Sequence, residues 1–202
     1  VGTWLYIVVQ EITLYILPIL ISMTVVCWME QRFCQHNMPH PFYAVGWKGT
    51  WLPFLASIAF TRGVIICLAR PLSDGLFAAW VRFLSHGFLT VFGLLLYAWS
   101  LAHLAPTGLP PIHHWWAKVF MFFNLCMLGM HVLPLPNLLM GECLKRYQPF
   151  KAWMQVYIRW MREKRMLMVA TLLAASPLLD GLLGAWFIYP VYGELATWAT
   201  KF

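Results

Sequence analysis

Long apolar runs, separated by short polar breaks, follow one another along the whole chain. The runs reach the roughly 20 residues that a helix needs to cross a bilayer core, and they lack the strict alternation of membrane-spanning strands. The pattern therefore predicts an all-α polytopic membrane protein folded as a single transmembrane domain. About four spanning helices are predicted, over residues 4–28, 86–105, 116–133 and 166–189.

A fifth apolar run, residues 51–69, fits two different topologies. It is long enough to cross the bilayer, but Arg62 stands near its middle and Pro53 near its start. An arginine at the bilayer centre costs about 2.5 kcal/mol or more on insertion scales. We therefore predict a re-entrant or interfacial segment over residues 51–84, and five spans are the alternative.

The distribution of positive charge separates these two topologies. With a re-entrant segment, all of the 14 lysines and arginines except Lys118 and Lys201 lie on one side of the membrane. With a fifth span, Arg62 is left in lipid, and Arg32 and Lys48 move to the opposite side. Cytoplasmic loops carry an excess of basic residues, so the re-entrant topology is favoured. We expect an integral protein of a bacterial inner membrane with both termini on the non-cytoplasmic side.

Composition agrees with lipid as the main solvent and changes the interpretation of the net charge. The chain is 61% apolar and 10% charged, whereas soluble domains are about 45–50% and 25%. A net charge of +7 suggests nucleic acid, but half of the basic residues lie in one segment, 145–165, between apolar runs. This segment is predicted to be a cytoplasmic amphipathic helix at anionic lipid headgroups, with an acidic partner as the alternative and no nucleic acid. Its basic residues are Lys145, Arg146, Lys151, Arg159, Arg162, Lys164 and Arg165.

The most informative motif lies within residues 123–141. Pro134 and Pro136 alternate there ten and twelve residues after Asn124, and paired prolines break a spanning helix where backbone unwinds beside a site. The spacing of Asn124, Pro134, Pro136 and Leu138 resembles the third core helix of the site-2-protease-like intramembrane zinc metalloproteases. The resemblance implies a site inside the membrane, open toward the cytoplasm, with a re-entrant segment between the first two core helices.

The resemblance also implies that the metal site is lost. The family's first core helix ends in His-Glu-x-x-His, whereas the first span here ends in Met29-Glu30-Gln-Arg-Phe33, and Leu139 takes the place of the Asp ligand. Zinc needs imidazole, thiolate or carboxylate ligands, which Met29, Phe33 and Leu139 do not offer. Of the family's motif only Glu30 is kept, at the position of the glutamate that activates water. The expected function is that of a non-catalytic pseudoprotease subunit that scaffolds or stabilises a larger complex with other membrane proteins. No cofactor is favoured.

Two alternatives would supply a cofactor. His36 and His40 have the spacing of two imidazoles on one helical face, and Asp180 would complete a rearranged zinc protease site, although Pro39 disfavours a helix there. Five other histidines lie near the ends of predicted spans, as in a haem b electron-transfer subunit. They are His86 and His131 toward the cytoplasmic side and His103, His113 and His114 toward the outer side.

Three charged residues lie within apolar stretches of the sequence. Glu11 lies in the first predicted span, Asp180 in the last, and Arg62 in the re-entrant segment. Intramembrane charges are usually paired or functional, so Arg62 is a candidate partner for either carboxylate. A proton path is one interpretation, and packing against a polar group of a partner subunit is the favoured one.

Overall fold

The computed structural model describes residues 2–104 and 109–201, with all side chains except those of residues 148 and 150. Within these ranges the chain is helical or irregular and forms no strand, which confirms the all-α class. Two further segments, Trp47–Trp51 and Asp180–Ile188, are π-helical. The α-helices are α1 (Gly2–Cys34), α2 (Leu52–Ala59), α3 (Leu76–Ala102), α4 (Ile112–Met130), α5 (Leu139–Arg146), α6 (Gln148–Trp160), α7 (Glu163–Ala175) and α8 (Tyr189–Ala199).

Helices α1, α3 and α4 pack against one another and form the centre of the bundle. Their apolar side chains interlock in buried clusters, with Ile19 of α1 and Phe123 of α4 fully buried. The backbones of α3 and α4 approach closely at Gly93, where a Cβ atom would lie 2.8 Å from the Cα of Met121. In lipid the hydrophobic effect does not drive helices together. Small residues at such a crossing let the two backbones approach closely and so strengthen van der Waals packing between the helices.

The chain between α2 and α3, residues 62–75, is an irregular segment that runs through the protein interior. Its residues 64–68 are all buried, so their backbone polar groups need partners inside the protein. The N–H of Leu68 donates to the carbonyl of Gly49 over 2.9 Å, and the N–H of Arg70 donates to that of Ala44 over 3.0 Å. Gly49 lies so close that a Cβ would stand 2.7 Å from the carbonyl oxygen of Leu68.

Two to three helices in the described ranges are long and apolar enough to cross a membrane. Two are α1, with 33 residues, and α3, with 27. The third is the pair Glu163–Ala175 and Asp180–Ala199, which is bent by 71° at a break that contains Pro177, because proline cannot continue a helix. The predicted third span corresponds to α4, which carries a lysine and two histidines in its first turns. Residue 105, the end of the second predicted span, lies outside the described residues.

The basic segment 145–165 is divided among three helices. It comprises the end of α5, the whole of α6 and the first turn of α7, whereas a single amphipathic helix was the expectation from sequence. Pro149 accounts for the first interruption, at Tyr147, because proline lacks an N–H and its ring clashes with the carbonyl four residues earlier; it therefore fits only in the first turn of a helix, where it stands in α6. At the second interruption Arg162 is extended, with φ −55° and ψ 157°.

Candidate functional site

Four residues from four parts of the chain form a buried ionic centre: Glu30, Ser73, Arg82 and Asn137. Nη1 of Arg82 donates to Oε1 of Glu30 over 2.5 Å and to the carbonyl of Ser73 over 3.0 Å. Nη2 of Arg82 donates to the carbonyl of Asn137 over 2.8 Å. Glu30 is 1% exposed and Arg82 5%, so water does not screen this pair and its geometry determines its energy.

The Glu30 carboxylate also binds the backbone of the irregular segment. Its Oε1 accepts from the N–H of Leu72 over 3.2 Å, and from the N–H and hydroxyl of Ser73 over 2.7 and 2.9 Å. With Arg82, four donors converge on one oxygen atom. A carboxylate oxygen offers about two lone-pair sites, so this oxygen has no capacity left for a further donor such as a nucleophilic water.

Each member of the ionic centre is positioned by its own element. Glu30 lies near the end of α1, Arg82 in the second turn of α3, and Ser73 in the irregular segment. Asn137 lies between α4 and α5 with φ of 66°, a left-handed conformation that asparagine tolerates better than most residues. The centre therefore ties together parts of the chain that are more than one hundred residues apart.

A pair of imidazoles, His86 and His131, lies beside the ionic centre. Both side chains are buried, and their ring centroids are 5.9 Å apart. Nδ1 of His86 is 2.9 Å from Oδ1 of Asn124, whose amide nitrogen in turn donates to the hydroxyl of Ser22 and the carbonyl of Phe120. Since the amide nitrogen is the donor, Oδ1 is the acceptor, and Nδ1 of His86 carries the proton.

His131 has the same tautomer for a similar reason. Its Nδ1 is 2.9 Å from the carbonyl of Met127, which can only accept. The lone pair is therefore on Nε2, and this buried atom has no hydrogen-bond partner within the described part of the protein. Metal-binding histidines commonly have this arrangement, in which a carbonyl fixes Nδ1–H and leaves Nε2 as the ligand.

Two imidazoles do not complete a zinc site of the usual kind, which takes three protein ligands. Across residues 2–104 and 109–201, no three histidine, cysteine or acidic side chains come together in a way that could hold a metal. The remaining histidines of the haem alternative lie elsewhere. His103 and His113 flank the ring of Trp99, and His114 contacts Ser100 and Tyr97.

The residues of the zinc alternative lie in separate places. His36 and His40 are exposed in a non-helical stretch that follows α1, so they do not share a helical face. Asp180 binds the start of the irregular segment. Its carboxylate accepts from the N–H groups of Gly63 and Val64 over 3.3 and 2.7 Å, and from the hydroxyl of Tyr189 over 3.0 Å.

The motif positions singled out by the resemblance differ in their surroundings. Asn124 is fully buried and bonded to Ser22 and His86, whereas Phe33 is 55% exposed. Met29 and Leu139 are half-buried, Pro136 is buried and Pro134 is exposed. Glu30 and Asn124 therefore belong to the buried polar network, and the three apolar replacements contribute no polar atom to it.

Arg62 does not pair with either of its candidate partners. Its Nε donates to the carbonyl of Ala175 over 3.1 Å. Glu11 and Arg62 line the same cavity of about 190 Å³, together with Tyr15 and Thr61. The two ion pairs found among the described residues are Arg82 with Glu30 and Lys145 with Glu142.

The other cations of the basic segment point outward. Arg146, Lys151, Arg159, Arg162, Lys164 and Arg165 are all exposed. Arg165 stacks 5.4 Å from the ring centroid of Trp160 and donates to its carbonyl over 3.2 Å. The segment therefore presents a basic surface at one end of the helical bundle.

Sequence reasoning missed three members of the ionic centre. Ser73 and Asn137 carry no signal in the sequence, since their contribution is mainly through the backbone. Arg82 did carry one, because a single arginine inside the apolar stretch Leu76–Ala102 needs a partner wherever it is buried. Comparison of the chain with protein-family models, with curated proteins and with solved structures gives no match.

Proposed function

We propose that the chain is a non-catalytic, site-2-protease-like membrane subunit that scaffolds or stabilises a larger membrane complex. The observation that carries the proposal is the saturation of Oε1 of Glu30 by four donors from two parts of the fold, the irregular segment and α3. Glu30 is the one residue that the resemblance keeps from the catalytic motif. Its contacts give it a structural role in joining α1 to α3 and to the irregular segment.

Two physical arguments separate this role from catalysis. A general base must be free to accept a proton from a water held within hydrogen-bonding reach. Arg82 and Ser73 fill Oε1 of Glu30, so any such water would have to use Oε2 of a carboxylate that is already bound to a cation. The guanidinium of Arg82 is also a fixed positive charge 2.5 Å from Oε1 of Glu30, so a metal cation close enough to assist that base would be repelled by it. In a site of low dielectric, the repulsion between two such cations is large.

The need for a partner follows from the length and surface of α1. Its 33 residues extend about 50 Å, whereas the hydrocarbon core is about 30 Å thick. If its first half lies in the core, the exposed amide of Gln10 faces lipid without a hydrogen-bond partner, which costs about 2 kcal/mol or more. If it lies outside, the exposed apolar side chains of residues 4–7 and 9 face water. A partner subunit against this half of α1 removes either cost.

Metal analysis and absorption spectroscopy test the non-catalytic part. We expect the purified chain to hold zinc well below one ion per chain and to show no haem absorption. About one zinc ion per chain, lost on substitution of His36 or His40, would contradict the proposal and favour the rearranged protease.

A second candidate function, a haem or metal-carrying subunit, draws on one observation. Nε2 of His131 is buried beside the ring of His86 without a hydrogen-bond partner among the described residues, and a metal ion would satisfy a buried nitrogen of this kind. A haem spectrum that disappears in His86→Ala and His131→Ala variants would support this candidate against the scaffold.

Site-specific photo-crosslinking in native membranes tests the partner. A crosslinker at position 10 is expected to give a discrete adduct with another membrane protein. The matched control is position 95 on α3, where Leu95 is 56% exposed on a purely apolar surface. Adducts of equal yield at both positions, or none at position 10, would contradict a partner on α1.

A further inference from the structure

A basic cleft lies where α6 ends and α7 begins. It has a volume of about 730 Å³, and its walls include one carboxylate, that of Glu163. Four cationic side chains line it, those of Arg159, Arg162, Lys164 and Arg165. The extended backbone of Arg162 turns the chain between the two helices, so that side chains from both helices face the same space.

These cations are not neutralised inside the protein. Neither of the ion pairs found among the described residues involves a side chain of the basic cleft. Of these four side chains, that of Arg165 has a contact within the described part of the protein, with the ring and carbonyl of Trp160. Four neighbouring cations repel one another and are opposed by a single carboxylate, so their electrostatic energy falls when an anion enters the cleft. Guanidinium groups match the oxygen geometry of phosphate in particular.

An exposed apolar stripe on α6 continues into the basic cleft. Trp153, Val156 and Trp160 are 58%, 65% and 51% exposed, and their spacing of three and four residues sets them on one face of the helix. The next face is turned inward, since Met154 is fully buried. Indole rings favour the level of lipid headgroups, with apolar side chains just below it. A soluble phosphate would use the cations but leave this stripe in water.

We propose that the basic cleft binds the phosphate headgroup of an anionic phospholipid, and that the stripe Trp153–Val156–Trp160 rests on its glycerol and upper acyl region. The cleft gives the chain a lipid specificity that goes beyond its proposed role as a scaffold. Each cation near an anionic surface strengthens binding about five-fold. The site distinguishes anionic from zwitterionic phospholipids because a choline headgroup brings its own positive charge into the cleft.

Native mass spectrometry of the purified chain in neutral detergent tests the proposal directly. The chain is titrated with phosphatidylglycerol, with phosphatidylcholine of the same acyl chains, and with glycerol phosphate as the free headgroup. We expect phosphatidylglycerol to bind at least ten-fold more tightly than the other two ligands. The double variant Arg159→Gln/Arg162→Gln is expected to weaken that binding about 25-fold, the product of two five-fold contributions.

The matched control is Arg32→Gln/Lys48→Gln, which removes two exposed cations from another part of the protein and is expected to change the affinity less than two-fold. Equal loss in both double variants would mean that net charge alone attracts the lipid and would overturn the site. Equal affinity for phosphatidylcholine would overturn it too, as would glycerol phosphate binding as tightly as the lipid, which would identify a soluble phosphate ligand. All four substituted side chains are exposed, and thermal unfolding of each variant verifies that the fold is kept.

Discussion

Glu30 and Asp180 hold opposite ends of the same irregular segment. Asp180 accepts the N–H groups of Gly63 and Val64 at its start, and Glu30 accepts those of Leu72 and Ser73 near its end. Residues 64–68 between them are buried but not helical, and inside a membrane protein such backbone is tolerated only where its polar groups find partners. Two carboxylates supply those partners.

The two ends differ in how the negative charge itself is balanced. Glu30 is 1% exposed and bonded to the buried guanidinium of Arg82, whereas Asp180 is half-buried and bonded to the neutral hydroxyl of Tyr189. Loss of Glu30 leaves an unpaired cation in the interior, but loss of Asp180 leaves only neutral N–H groups. Loss of the carboxylate is therefore expected to lower the free energy of unfolding more at the Glu30 end of the segment than at the Asp180 end.

Substitution of Glu30 is expected to have the largest effect on stability. Glu30→Gln removes the negative charge and leaves Arg82 buried without a counterion, which should lower the free energy of unfolding by about 3–5 kcal/mol. Denaturant titration in mixed micelles measures this loss. Glu194→Gln, an exposed carboxylate on α8, is the control and should change stability by less than about 0.5 kcal/mol. A wild-type stability for Glu30→Gln would show that the ionic centre does not hold the fold.

Substitution of Asp180 should have the next largest effect. Asp180→Ala leaves the N–H groups of Gly63 and Val64 without their acceptor, at an expected loss of about 2–3 kcal/mol. Hydrogen exchange of these two amides, followed by mass spectrometry, should show faster exchange at this end of the segment and little change near Ser73. The control is Asp74→Ala, an exposed acidic residue in the same segment. Faster exchange along the whole segment would mean that its ends are not held independently.

The middle of the irregular segment can be disturbed without touching either carboxylate. Gly49→Ala places a Cβ 2.7 Å from the carbonyl oxygen of Leu68, which must force the two backbones apart at a cost of about 2 kcal/mol. Gly46→Ala is the matched control, because no heavy atom lies within 4 Å of its added Cβ. Equal thermal unfolding midpoints for the two variants would contradict the close packing of the segment against residues 44–49.

The smallest effect is expected from Tyr189. Tyr189→Phe removes one of the three donors to Asp180 and should lower stability by about 1 kcal/mol. Tyr6→Phe, at a side chain that is 69% exposed, serves as the control and should be neutral. A loss as large as that of Asp180→Ala would mean that the hydroxyl, rather than the backbone N–H groups, is the main partner of that carboxylate.

Hydrophobic pattern predicted the helical class and the two longest helices, because those features depend on local composition. It did not foresee the bend near Pro177, or the division of the basic segment into pieces, since a single proline changes the path of the chain without changing its apolar content. The number of membrane crossings stays a prediction, because it depends on whether the two helices on either side of that bend cross as one span.

The candidate site was predictable only in part. Glu30 and Asn124 were identified from motif spacing, but the cation that pairs with Glu30 is Arg82, whereas Arg62 was the arginine considered for an intramembrane pair. The pattern along a chain indicates that a buried charge needs a partner and does not indicate which one, because the choice depends on how α1 and α3 pack. Asn137 contributes its backbone carbonyl, and Ser73 contributes its N–H and carbonyl together with one hydroxyl. Every residue carries such backbone groups, so no motif in the sequence indicated these two positions.

A double-mutant cycle on Glu30 and Arg82 tests most directly whether Glu30 holds the fold through its ion pair. The free energy of unfolding is measured for Glu30→Gln, for Arg82→Gln and for the variant that carries both. If the two side chains stabilise the bundle as a buried pair, the double variant should be more stable than Glu30→Gln by about 2 kcal/mol, because it no longer buries an unpaired guanidinium. A double variant whose loss equals the sum of the two single losses would contradict the buried pair through which Glu30 holds α1 to α3.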